Sequence, residues 1–150
     1  MTAEEAVATI AAAWRADFPP ATVKAYVAGI ADLDPDHLGR AVTLAVRSCR
    51  FAPTVSDLRT IVATMRLDAP VAAEALGSVE AAVASGTTKK LHPLARRTLN
   101  VLGGSWAWKT TDNPGVMRGQ FLRLYEELTR SETQAIVRGT IGSARKEIGR

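Results

Sequence analysis

Cysteine is nearly missing from this chain. Cys49 stands alone among 150 residues, so there is no disulfide framework, and one Cys with two His cannot complete a structural zinc site. Aromatic residues make up only 5%, so a core has to be assembled from Ala, Val, Leu and Ile. No apolar run approaches the 18 residues that a membrane span needs. The opening Met1-Thr2-Ala3-Glu4-Glu5 is acidic where a secretory signal would be basic. The expectation is a reduced, cytoplasmic protein that does not engage a membrane. The alternating apolar and polar pattern of strands is almost absent as well.

The chemistry-bearing motifs are missing too. A phosphate-cradling loop would end in Gly-Lys-Ser/Thr, but Lys109-Thr110 follows Trp108, and Gly142 is followed by Ser143-Ala144. There is no G-x-S-x-G nucleophile elbow. Cys49 falls on an apolar helical stripe and reads as a core residue. His37 and His92 sit at helix starts, where they read as capping or surface residues, and no nucleophile is spaced to use them. Glu126 and Glu127 are adjacent on a helix and face apart. The chain offers no catalytic constellation, so a non-enzyme is expected, with no cofactor, metal or small-molecule substrate.

What is present is 47% hydrophobic and 23% charged residues, enough to bury a core, with a net charge of +4. The charge is uneven. Residues 1–75 carry seven Lys/Arg against nine Asp/Glu, whereas residues 76–150 carry twelve against six. The second half is therefore the one suited to an acidic partner.

Apolar residues recur at helical spacing throughout, which predicts an all-α bundle of about seven helices. Thr2 and Glu5 form a capping box ahead of Val7, Ile10 and Trp14, and Phe18-Pro19-Pro20 is expected to end that helix. Val23, Tyr26, Val27 and Ile30 define the next. Asp34-Pro35 starts a third, with Leu38, Ala41, Val42 and Ala45 on one face. Thr54 and Asp57 cap a fourth, carrying Leu58, Ile61, Val62 and Met65. A fifth spans roughly residues 70–85, and the polar stretch after Gly86 reads as a linker. His92-Pro93 opens a helix that Gly103-Gly104 closes, and Asp112-Asn113-Pro114-Gly115 starts another through Met117, Phe121, Leu124, Tyr125 and Leu128. These signals predict an N-terminal helical domain over 1–86, a linker over 87–91, a smaller helical region over 92–130 and a basic, frayed tail over 131–150. Gly139 and Gly142 weaken that last segment by about 1 kcal/mol each relative to alanine.

Two groups of residues are candidate surfaces. The first is Trp106, Trp108 and Lys109 with Arg118 and Arg123, joined by the basic tail residues Arg138, Arg145 and Lys146. Aromatic residues beside cations suit a protein interface or a stacking platform, while core filling is the competing role for the tryptophans. The second is the arginine stripe Arg40, Arg47 and Arg50 with Arg59 and Arg66 on the following helix, which suits phosphates, an acidic protein or plain solvation. Phe51, Pro53, Thr54, Phe121 and Tyr125 read as structural, at helix starts or on apolar stripes.

Residues 14–65 resemble the phage and prophage replicative helicase loader/inhibitor family. The resemblance is carried by the Phe18-Pro19 break, Leu33-Asp34-Pro35, the Ala/Val-rich helix after it, and Phe51-Ala52-Pro53-Thr54 with Leu58 following. The second half is similar to longer phage members, through residues 75–83, His92-Pro93-Leu94 and the run Arg118-Gly119-Gln120-Phe121-Leu122-Arg123-Leu124-Tyr125-Glu126-Glu127. The resemblance implies a non-enzymatic adaptor for DNA replication. Its partner would be a hexameric replicative DNA helicase, which it restrains or delivers to an origin through an initiator protein and DNA. It also implies a helical N-terminal domain beside a less ordered C-terminal part that engages the helicase. The competing classes are a small DNA-binding regulator and a helical phage assembly or host-inhibitor adaptor.

Overall fold

The computed structural model describes residues 1–139. Those residues form eight α-helices and no strand: α1 (Ala3–Trp14), α2 (Pro20–Ile30), α3 (Pro35–Ser48), α4 (Val55–Leu67), α5 (Ala72–Ser85), α6 (Pro93–Val101), α7 (Gly104–Thr110) and α8 (Pro114–Val137). The all-α expectation holds. The tryptophan stretch forms a helix of its own, α7, and α8 continues nine residues past Leu128, through Val137.

The helices fall into two units. Among the described residues, one comprises Met1–Leu67 with residues 133–139, and the other is Asp68–Glu132. The division expected at residues 87–91 is therefore displaced to Asp68, a non-glycine residue with φ 44°. The reason is local. Gly86 is a left-handed cap that closes α5 through Gly86 N–H to Val83 and Thr87 N–H to Ala82, and Leu91 after it is buried. The polar stretch is a tight corner inside the second unit, and α5 belongs with α6 and α7. The expected tail over 131–150 divides likewise: residues through Val137 are helical, and 140–150 lie outside the described residues.

In the first unit α1, α3 and α4 begin where the sequence places a cap. Thr2 and Glu5 close a reciprocal box, Asp34 accepts from His37 N–H, and Thr54 and Asp57 form a second box. The end of α1 differs from expectation. Arg15 takes a left-handed conformation and stops the helix at Trp14, before the prolines, and Pro20 instead occupies the first position of α2. Ala6, Val7, Ile10, Ile30, Leu38, Val42 and Leu58 form the core, with Trp14, Phe18 and Tyr26 packed against it. Cys49 is half-buried just past the end of α3 and does not lie on its buried stripe.

Arg59 organises the same unit. Gly29 allows α2 to approach α4, since a Cβ there would lie 2.7 Å from Val55 Cγ1. That approach brings the Gly29 carbonyl to Arg59, which donates to it at 2.8 Å, to both Asp32 carboxylate oxygens at 2.6 and 2.9 Å, and from Nε to the Val137 carbonyl at 2.9 Å. Its side chain is only 16% exposed. The expected place of Arg59 in an open arginine stripe is thus corrected: the residue is an internal fastener.

In the second unit Ala75, Val79 and Val83 of α5 and Leu94, Ala95, Thr98 and Leu99 of α6 are buried. His92 caps α6, accepting at Nδ1 from Leu94 N–H. Phe121 and Tyr125 of α8 are buried and stacked with centroids 5.8 Å apart, and the Tyr125 hydroxyl donates to the Pro70 carbonyl at 2.6 Å.

The titrating groups predict opposite pH limits for the two units. Arg59 bonded to Asp32, the His37 N–H on Asp34 and the Thr54 N–H on Asp57 each hold a carboxyl of the first unit below its ordinary value. A depressed folded value stabilises above the unfolded value, and the contribution disappears as pH falls through the folded one. Burial pushes the Tyr125 phenol up, so its contribution is complete below its ordinary value near 10 and disappears as pH rises through the folded value. Hydrogen exchange followed by peptide is expected to show α1–α4 losing protection first below about pH 4, and α5–α7 first above about pH 10. The same order of loss at both extremes would contradict this.

Candidate functional site

The α6–α7 junction decides where the tryptophans point. Gly103 has φ 103°, and a Cβ there would lie 2.6 Å from Ala107 Cβ, so only glycine fits and α7 starts immediately afterwards. On that short helix, residues two apart face different ways. Trp108 meets the Phe121 ring edge-on at 5.8 Å and becomes part of the Trp108–Phe121–Tyr125 aromatic series. Trp106 is left 76% exposed. Lys109, nearly one turn further on, is exposed as well. Of the pair, Trp108 packs among aromatic rings and Trp106 is exposed.

The cations around them also divide. Arg118 is bound to Glu80 of α5 by an Nε–carboxylate bond, and Arg97 to Glu132 at 2.8 Å, so both hold helices of the second unit together. Arg123 is exposed and forms no ion pair among the described residues. Arg138 is exposed and belongs to the first unit, whereas Arg145 and Lys146 lie outside the described residues. Of the eight residues expected at the partner surface, Trp106, Lys109 and Arg123 are thus free in the second unit, and Trp108 and Arg118 are engaged.

In the first unit, Arg40 and Arg47 line a groove along α3, and neither is ion-paired among the described residues. Arg66 is exposed in the last turn of α4. Arg50 lies over the ring of Phe51, 5.5 Å from its centroid. Phe51 is 75% exposed, which overturns its reading as a structural residue. Its neighbours in the same motif are structural: Pro53 is buried and accepts from the Tyr26 hydroxyl at 3.1 Å, and Thr54 caps α4. One signal separates Phe51 from them. It falls in the Cys49–Pro53 break, outside the helical period that would give it a buried face.

Among the described residues, no group of three His, Cys, Asp or Glu is placed to hold a metal, and no helix is long and apolar enough to cross a membrane. Compared with known proteins, the chain matches no family model, no curated protein and no solved structure.

Proposed function

We propose that this chain is a non-enzymatic DNA-replication adaptor that binds a hexameric replicative helicase and loads or restrains it. The observation that carries the reading is Trp106. A chain with three tryptophans, two tyrosines and three phenylalanines leaves one of its largest apolar side chains 76% exposed, beside the free cation of Lys109. A tryptophan held out from a rigid helix, next to a cation, is the side-chain pairing that dominates protein interfaces. The resemblance of residues 14–65 and 118–127 to helicase loaders supplies the identity of the partner. The excess of cations in the second half favours an acidic docking surface.

The test is size-exclusion chromatography with light scattering of the chain mixed with a hexameric replicative helicase from its own source genome, with and without ATP. A stable co-eluting complex is expected. Trp106→Ala should weaken it by about 2 kcal/mol, roughly thirtyfold, without changing the melting temperature of the free protein. Full affinity in Trp106→Ala would remove Trp106 from the interface, and absence of a complex in both nucleotide states would overturn the reading.

A second reading, a small DNA-binding protein, has the Arg50–Phe51 pair in its favour. An exposed ring under a guanidinium is the arrangement on which unpaired bases stack. Retention on single-stranded DNA that falls steeply with salt, with no helicase complex, would select it.

A further inference from the structure

A groove runs along α3, in the unit that does not contain Trp106. It has a volume of about 490 Å³, and Met1, Pro35, Leu44 and Met65 are the larger apolar residues that line it. Leu44 is 45% exposed although it lies on a helix whose other face is fully buried. Arg40 and Arg47 stand along the same groove, seven residues apart and so roughly 10 Å along the axis. Asp36 lines it nearer the N-terminal end of α3. Three arginines elsewhere are held by carboxylates, Arg59 by Asp32, Arg97 by Glu132 and Arg118 by Glu80. Arg40 and Arg47 have no carboxylate partner among the described residues.

We infer that this groove binds an acidic amphipathic helix of another protein, its apolar side on Leu44 and Met65 and its carboxylates on Arg40 and Arg47. An apolar strip edged by charge is the form in which helices are received in grooves, and a spacing of two helical turns matches carboxylates two turns apart on the incoming helix. Nucleic acid fits less well. No aromatic residue lines the groove for a base to stack on. The chain's own residues 140–150 fit less well too, since they carry Arg145, Lys146 and Arg150 against Glu147 alone.

The probe is a fluorescein-labelled synthetic helix of 15 residues, with leucines at i, i+4, i+7 and i+11 flanked by glutamates, titrated with the full chain by anisotropy at low salt. The expected result is saturable binding that Arg40→Glu/Arg47→Glu weakens at least tenfold. The same double variant should bind a lysine-flanked version of the helix that the unaltered chain does not. Leu44→Asp, at a half-exposed position, should also abolish binding while leaving the circular dichroism melt unchanged. Trp106→Ala should bind the glutamate helix normally, which separates this site from the helicase surface. Equal binding of the glutamate helix by the unaltered and double-variant chains would overturn the inference. So would tighter binding of oligo-dT that is lost in the double variant, or a dimer of the unaltered chain that Leu44→Asp dissociates.

Discussion

Replacing Phe121 with alanine is expected to destabilise the second unit by about 3–5 kcal/mol, the range for removing a buried aromatic ring. Phe121 is fully buried, and its ring is the middle member of the Trp108–Phe121–Tyr125 series. Its loss removes the edge-on partner of Trp108 and the stacked partner of Tyr125 together. Each such contact adds about 0.5–1.5 kcal/mol beyond area burial. Chemical denaturation followed by hydrogen exchange is the measurement, because a single melting curve averages over both units. Peptides from α5, α6 and α7 should lose protection, while those from the α1–α4 core retain it. Trp108 emission should shift to the red in the native state as its ring loses its cover. A uniform loss of protection along the chain would mean that the two units unfold as one. Phe121→Leu, which refills most of the volume, should recover more than half of the stability.

Most of this fold was legible because its signals are local. Thr2 with Glu5, Asp34 with Pro35 and Thr54 with Asp57 each satisfy backbone donors within one turn, so the helix starts follow from four-residue windows. The apolar face of α3 follows from its period. The domain boundary was not legible, since a polar stretch such as residues 87–91 has the same composition whether it is a free linker or a corner held by Gly86 and buried Leu91. Which side of a boundary a helix joins is set by packing between elements distant in sequence. The end of α1 was misplaced for a different reason. Arg15 at φ 51° makes a left-handed cap that favours glycine, and arginine carries no signal for it.

The site was half legible. The opposed directions of Trp106 and Trp108 follow from their spacing alone, but which one meets Phe121 depends on the turn at Gly103. Arginines two turns apart look alike in sequence whether they are free, like Arg40 and Arg47, or bound, like Arg59. What separates them is whether a carboxylate or a helix end lies within reach, and for Arg59 these come from residues 27–30 and 78 positions away.

That distance makes Arg59 the most consequential polar residue of the first unit. Arg59→Met is expected to destabilise the unit by about 3 kcal/mol, although methionine keeps much of the apolar stem. The Gly29 and Val137 carbonyls belong to the last turns of α2 and α8, where helix geometry supplies no intrahelical donor. A guanidinium there satisfies both acceptors and places a cation at two helix C-termini. Removing it leaves two half-buried carbonyls without that donor, and hydrogen bonds involving a charged group contribute about 1.5–3 kcal/mol each. The Asp32 pair contributes less. Asp32 is 60% exposed, and exposed ion pairs are worth at most about 1 kcal/mol. Asp32→Asn should therefore cost under 1 kcal/mol, and Arg59→Lys, with one point cation for three separate partners, should recover only part of the loss. Equal losses in Asp32→Asn and Arg59→Met would show that the ion pair, not the helix ends, dominates. The same variants bear on function. Since the Arg59 guanidinium is committed to these internal partners, the folded fraction of Arg59→Met should bind helicase with unaltered affinity; a loss beyond the unfolded fraction would return Arg59 to the partner surface.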